Sequence, residues 1–136
     1  MKILVLDDDQ NRLDQFKQRL IGHVACCVKT APETIRKLAE EPWDVLFLDH
    51  DLGGTTYAPS GPGTGYEVAK WLAEHEDRKP GQIVIHSFNA PGSQNMKSVL
   101  PEAFYNPGAW INRDMGFMDT GLEQQVRPGY GFLARD

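Results

Sequence analysis

Short unbroken apolar runs alternate along this chain with stretches in which apolar residues recur every three or four positions. The runs occupy residues 3–6, 24–29, 45–48, 83–85 and 109–111 and predict five strands, those at 3–6 and 45–48 being solid apolar runs of the kind buried on both faces. Between the first two, Leu13, Phe16, Leu20 and Ile21 fall on one helical face, with Asp9 placed to cap the helix start and Gly22 to end it. Thr30-Ala31-Pro32-Glu33 is a capping box with proline at a permitted first-turn position, and it opens a second helix carrying Ile35 and Leu38. A third helix is predicted over residues 66–76, turning Val68, Trp71 and Leu72 to the sheet, and a fourth after Gly92 as far as Leu100. Such alternation predicts an α/β fold: a doubly wound, five-stranded parallel sheet in the order 2-1-3-4-5 with helices on both faces. Residues 53–65 are rich in Gly, Pro, Ser and Thr and read as a loop, either a lid or binding element or a surface insertion. Residues 1–114 are expected to build the domain, and residues 115–136, with several glycines and no period, to extend it.

Composition narrows the function classes. A chain of 136 residues, 40% hydrophobic and 24% charged, is one ordinary globular domain. A net charge of -5 without any dense Lys/Arg run excludes a surface built to grip duplex DNA, while leaving room for a small anionic ligand. Cys26 and Cys27 are adjacent, poor geometry for bridging each other, and fit a reducing compartment. No segment is long enough to span a bilayer and the N-terminus carries no signal-like stretch, so no membrane partner and a cytoplasmic location are expected.

Chemistry-bearing residues gather where the strands end. In an open doubly wound sheet the binding crevice lies outside the carboxyl ends of the strands, at the point where strand order reverses. That places Asp7 and Asp8 beside Asp49 and Asp51, with His86 and Ser87 arriving from strand four. Carboxylates gathered this way repel unless a cation joins them, and oxygen ligands suit Mg²⁺ or Mn²⁺, an added imidazole favouring Mn²⁺. Asp49 and Asp51 share a face if the strand stays extended, and His50 then points the other way.

Two segments, Ile3-Leu4-Val5-Leu6-Asp7-Asp8-Asp9 and Asp44-Val45-Leu46-Phe47-Leu48-Asp49, resemble the strand-one and strand-three motifs of response-regulator receiver domains, a flavodoxin-like fold. That resemblance implies Mg²⁺ on the paired acids and a phosphoryl group accepted by Asp49. The chain departs from it in His50-Asp51-Leu52-Gly53-Gly54 after strand three and in Asn112-Arg113-Asp114, where a receiver has Lys-Pro. The fuller resemblance is to the cyclic-phosphate processing receiver domains. It is carried by Leu6-Asp7-Asp8, Phe47-Leu48-Asp49-His50-Asp51-Leu52-Gly53, Gly65-Tyr66-Glu67, His86-Ser87-Phe88-Asn89, Gly92 and Asn95-Met96. It implies a receiver fold reused to hydrolyse or bind a cyclic phosphate, a small cyclic nucleotide or an RNA end bearing a 2',3'-cyclic phosphate.

These residues support a mechanism. Asp7, Asp8, Asp49 and Asp51 would hold a divalent ion, which would supply charge neutralisation for the phosphodiester and a more acidic water as nucleophile. His86 protonates the departing ring oxygen, and His50 serves as base or ligand. Ser87 and Asn89 hydrogen-bond phosphate oxygens, helped by the free amides of the helix after Gly92. Asn95 and Arg113 are further candidates for substrate contact, Arg113 because it ends strand five. Two other functions stay open: a phosphoacceptor switch on Asp49, and a non-catalytic module that sequesters a cyclic nucleotide.

Overall fold

A computed structural model describes residues 1–54, 57–111 and 114–117. The strands are β1 (Lys2–Leu6), β2 (Val24–Val28), β3 (Val45–Leu48), β4 (Gln82–Ile85) and β5 (Phe104–Tyr105), all parallel and in the order β2-β1-β3-β4-β5. The helices are α1 (Gln10–Arg19), α2 (Ala31–Glu40), α3 (Gly65–Ala73) and α4 (Ala90–Val99). The α/β doubly wound sheet expected from the apolar pattern is therefore the observed fold, with its predicted strand order.

Period-two alternation sorts the buried strands into two cores. Ile3, Val5, Val45, Phe47 and Val84 face one side, where Leu13 and Phe16 of α1 cover them together with Leu20, Ala109 and Met115. Leu4, Leu6, Leu46, Leu48, Ile83 and Ile85 face the other, under Leu38 of α2, Val68 and Leu72 of α3 and Met96 of α4. The predicted caps form. Asp9 accepts the Arg12 amide at 3.1 Å, and Thr30 Oγ1 accepts the Glu33 amide at 3.2 Å while its hydroxyl donates to Glu33 Oε1 at 3.1 Å. Gly22 adopts φ +100, a left-handed turn that a side chain would disfavour.

Three expectations are corrected. The fifth strand is Phe104–Tyr105, whereas residues 109–111 form a turn closed by Ala109 N–H to Asn106 O and Ile111 N–H to Gly108 O. Ala109 is apolar because it packs on the α1 side of the sheet, not because it belongs to a strand. The fourth helix starts at Ala90 rather than after Gly92, because the Asn89 side chain caps it by accepting the Gly92 amide at 3.0 Å. Ile21 lies beyond the end of α1 and is 81% exposed, so it does not extend that helix's buried face. Arg113 and residues 118–136, most of the expected extension, lie outside the described residues.

Candidate functional site

Alternation also explains which strand-end side chains meet. Continuing one residue past each strand, Asp7 follows the parity of Ile3 and Val5, Asp49 that of Val45 and Phe47, and His86 that of Val84. All three emerge on the α1 side and are buried at 0%, 4% and 2% exposure, with candidate ligand atoms within 4.8 Å of one another. Their neighbours Asp8, His50 and Ser87 have the opposite parity: the His50 ring turns away to pack on Gly92 of α4, while Asp8 and Ser87 stay at the wall of the cleft.

A cation from α1 already stands in this cluster. Arg12 lies one helical turn before Phe16, on the row that faces the sheet, and its guanidinium clamps Asp7 with Nε to Oδ2 and Nη2 to Oδ1, both at 2.9 Å. It also lies 3.6 Å from Asp49 Oδ2, 3.8 Å from Asp8 Oδ1 and 3.7 Å from Asp9 Oδ2. His86 Nε2 is 2.9 Å from Asp7 Oδ2, and because the carboxylate can only accept, Nε2 is the donor. The imidazole is wedged edge-on against Phe16 and Phe47, and its Nδ1 is buried with no hydrogen-bond partner among the described residues.

The two buried carboxyls are consequently driven apart. Burial works to raise Asp7, but the hydrogen bonds from His86 and Arg12 outweigh it and hold the group at about 2. Among the described residues Asp49 receives the His50 amide, at 2.8 Å on Oδ1, while Oδ2 is buried and has no hydrogen-bond partner. Burial, aided by the charge of Asp7, pushes Asp49 up to about 7 against the opposing pull of His86 and Arg12. Pairs of carboxyls separated in this manner are a recurrent arrangement for acid and base work. Burial alone would lower Arg12, yet the acids around it raise it above its ordinary value.

A second network holds the loop after β3. The His50 ring is fully buried, with Nδ1 2.8 Å from Asp51 Oδ1 and Nε2 2.9 Å from Ser60 Oγ, which also accepts the Asn95 amide at 2.9 Å. Asn89 donates to Asp51 Oδ1 and to the Ala58 carbonyl, and Asp51 accepts the Tyr57 and Ala58 amides. These donors keep Asp51 below the usual carboxylate range in spite of its burial. Two glycines are required here. A Cβ on Gly92 would lie 2.6 Å from the His50 ring, and one on Gly65 only 1.7 Å from the Asp49 carbonyl.

Of the residues singled out from sequence, Asp7, Asp49 and His86 converge, and Asp8 joins them at the mouth, where its Oδ2 accepts the Gly54 amide at 2.7 Å. Asp51 is committed to the loop, and His50 to Asp51 and Ser60. Asn89 is committed to capping and loop bonds, and Gly92 to packing on His50. Ser87 accepts the Asn89 amide at the wall of the cleft, and the Asn95 side chain reaches Ser60 rather than the acid cluster. A cleft of about 270 Å³ opens over the cluster, lined by Asp8, Arg12, Asp49, His86, Ser87 and Asn89 together with Asp51 and the exposed rings of Tyr57 and Phe88. Arg12 is the member that sequence reasoning passed over. Its signal was the spacing, since Arg12, Phe16 and Leu20 form one i,i+4 row ending at the strand-one acids.

Whether these residues fit a divalent ion is answered by the donor set. Among the described residues Asp49 Oδ2 is a buried oxygen without a hydrogen-bond donor, and the Asp7 and Asp8 carboxylates lie beside it. That oxygen set suits a hard cation, although His86 Nε2 and Arg12 occupy Asp7 as it stands.

The family model described as Cyclic-phosphate processing Receiver domain matches residues 2–102. No curated protein matches the chain. Among solved structures, the chain is similar to the CheY-like receiver domain from Methylobacillus flagellatus, at 19% identity and TM-score 0.61, covering 90% of this chain and 95% of that one. It is also similar to the response regulator protein TrrA from Thermotoga maritima in complex with Mg²⁺-BeF, at 22% identity and TM-score 0.57, covering 78% of this chain and 87% of that one. Among the described residues, no helix is long and apolar enough to cross a membrane.

Proposed function

The chain belongs to the cyclic-phosphate processing receiver domain family, and on that premise we propose that it hydrolyses a cyclic phosphodiester in the cleft above Asp7, Asp49 and His86. The observation that carries the reading is the packing of one imidazole and one guanidinium onto two buried carboxyls whose proton affinities are driven apart. An ordinary solvated strand end has no use for such a cluster, and perturbed titratable groups in a cleft mark functional sites. Asp7, Asp8 and Asp49 are the residues that would hold Mg²⁺ or Mn²⁺, and the ion when bound supplies charge neutralisation and a more acidic water. The Mg²⁺-BeF complex of the Thermotoga relative supports this choice of cation.

Asp7 accepts the Nε2 proton of His86, which fixes the tautomer and the orientation of the ring beside the cleft. In its imidazolium form His86 would give its second proton, the one not held by Asp7, to the ring oxygen that leaves, and so return to the neutral ring bonded to Asp7. The rings of Tyr57 and Phe88, 73% and 57% exposed at the cleft, offer faces for a nucleobase. The loop held by His50 and Asn89 keeps Tyr57 in place.

The test is incubation of the protein with Mg²⁺, Mn²⁺ or EDTA against 2',3'-cyclic nucleotides, cyclic di- and trinucleotides and cyclic-phosphate-ended RNA, read by mass spectrometry. Gain of one water that needs metal and vanishes in His86→Ala supports hydrolysis. Ligand recovered unchanged after denaturation supports sequestration instead. The unpartnered Asp49 Oδ2 at the end of β3 favours one second reading, acceptance of a phosphoryl group on Asp49. Labelling by a small phosphodonor that Asp49→Asn abolishes distinguishes it.

A further inference from the structure

The lone pairs of Asp7 are fully occupied. Oδ1 accepts Arg12 Nη2 and the Asp9 amide, each at 2.9 Å, and Oδ2 accepts Arg12 Nε and His86 Nε2, each also at 2.9 Å. A carboxylate offers about four acceptor sites in all. A divalent ion can therefore reach Asp7 only if one of these donors leaves. The Asp9 amide is backbone, fixed at the N-cap of α1. His86 is 2% exposed and wedged between Phe16 and Phe47. Arg12 alone is long, flexible and partly open, its side chain 27% exposed and lining the cleft.

Resting on the phosphodiesterase reading, we propose that Arg12 is an exchangeable internal cation: it holds Asp7 and Asp49 together until a divalent ion takes its place, and the released guanidinium then binds the phosphate of the substrate. A guanidinium and a dication cannot both sit within 4 Å of the same two carboxylates without strong repulsion, whereas a phosphodiester anion entering the cleft supplies the released arginine with a planar, bidentate partner. Metal and substrate thus bind in order, metal first. The α1 position suits the exchange, because the guanidinium is one side-chain swing from both the acids and the 270 Å³ cleft. Arg12 counts here as a substrate-binding residue of the cleft as well as a competitor for the metal.

The experiment titrates Mn²⁺ into the protein without any substrate, following the free aquo-ion by electron paramagnetic resonance. It compares wild type, Arg12→Gln and Arg12→Lys, with circular dichroism as a check on folding. Losing two charge-assisted hydrogen bonds that compete for Asp7 should tighten Mn²⁺ roughly tenfold or more in Arg12→Gln. Arg12→Lys keeps the charge but loses the fork, so it should tighten Mn²⁺ by less and remains informative if the glutamine variant does not fold. Both variants should bind a non-hydrolysed cyclic-phosphate analogue more weakly in saturating Mn²⁺. Equal or weaker Mn²⁺ binding in both variants overturns the exchange while leaving the phosphodiesterase reading intact. Absence of Mn²⁺ binding in all three proteins overturns the metal-dependent reading and this inference with it.

Discussion

Replacing Asp49 with asparagine should stabilise the metal-free protein, and by an amount that depends on pH. Asp49 is 4% exposed, with one oxygen bonded to the His50 amide and the other unpartnered. Its carboxyl is raised from 3.8 to about 7 in the folded chain. A group raised on folding contributes its full stability below its unfolded value, and loses it as pH rises through the folded value. A shift of roughly three units at about 1.36 kcal/mol each means that ionised Asp49 costs the wild type about 4 kcal/mol at pH 8, an upper figure because the ionised site relaxes and admits water. Asparagine keeps the acceptor for the His50 amide and carries no charge. Urea denaturation in EDTA should therefore give nearly equal stability for the two proteins at about pH 4, and a gap that opens in favour of Asp49→Asn between about pH 4 and pH 8. Asp7, lowered from 3.8 to about 2, makes its contribution to pH dependence mainly below that window, and both proteins share it. A gap that is flat with pH, or a less stable asparagine variant at pH 8, would refute the reasoning.

Gly92→Ala should cost about 1–3 kcal/mol in urea denaturation, since the new methyl meets a buried His50 ring that is held at both nitrogens. Gly65→Ala should be worse and lower the yield of folded protein by circular dichroism, because the atom in its way is the Asp49 backbone carbonyl. Asn89→Ala removes a helix cap and the donor to Asp51 and Ala58. It should cost about 1 kcal/mol or more, and amide hydrogen exchange at Tyr57 and Ala58 should speed up while exchange in β1 stays unchanged.

The sheet was legible because its signal is redundant. Residues 3–6, 45–48 and 83–85 are too apolar for anything but strands covered on both faces, and their spacing leaves room only for helical crossovers. The β5 position was misread because Ala109, Trp110 and Ile111 look like a strand, whereas the two residues that do pair with β4, Phe104 and Tyr105, are half exposed at the sheet edge. For the site, parity of the strand ends gives the trio Asp7, Asp49 and His86, and the same parity sends His50 away. Asp51 did not follow its parity into the cluster, because β3 ends at Leu48 and the chain turns into the loop. Arg12 was hidden for another reason: an arginine in the first turn of a helix usually belongs to solvent, and only the position of that helix over the acids gives it a partner.

The most direct measurement is conversion of a 2',3'-cyclic nucleotide by the full chain with Mn²⁺ in oxygen-18 water, followed by phosphorus NMR. The account predicts a ring-opened phosphomonoester carrying the heavy oxygen on phosphorus, formed by wild type and absent with His86→Ala or EDTA. An intact ring for every substrate in the panel, with phosphorus found instead on Asp49 after a small phosphodonor is added, would contradict it.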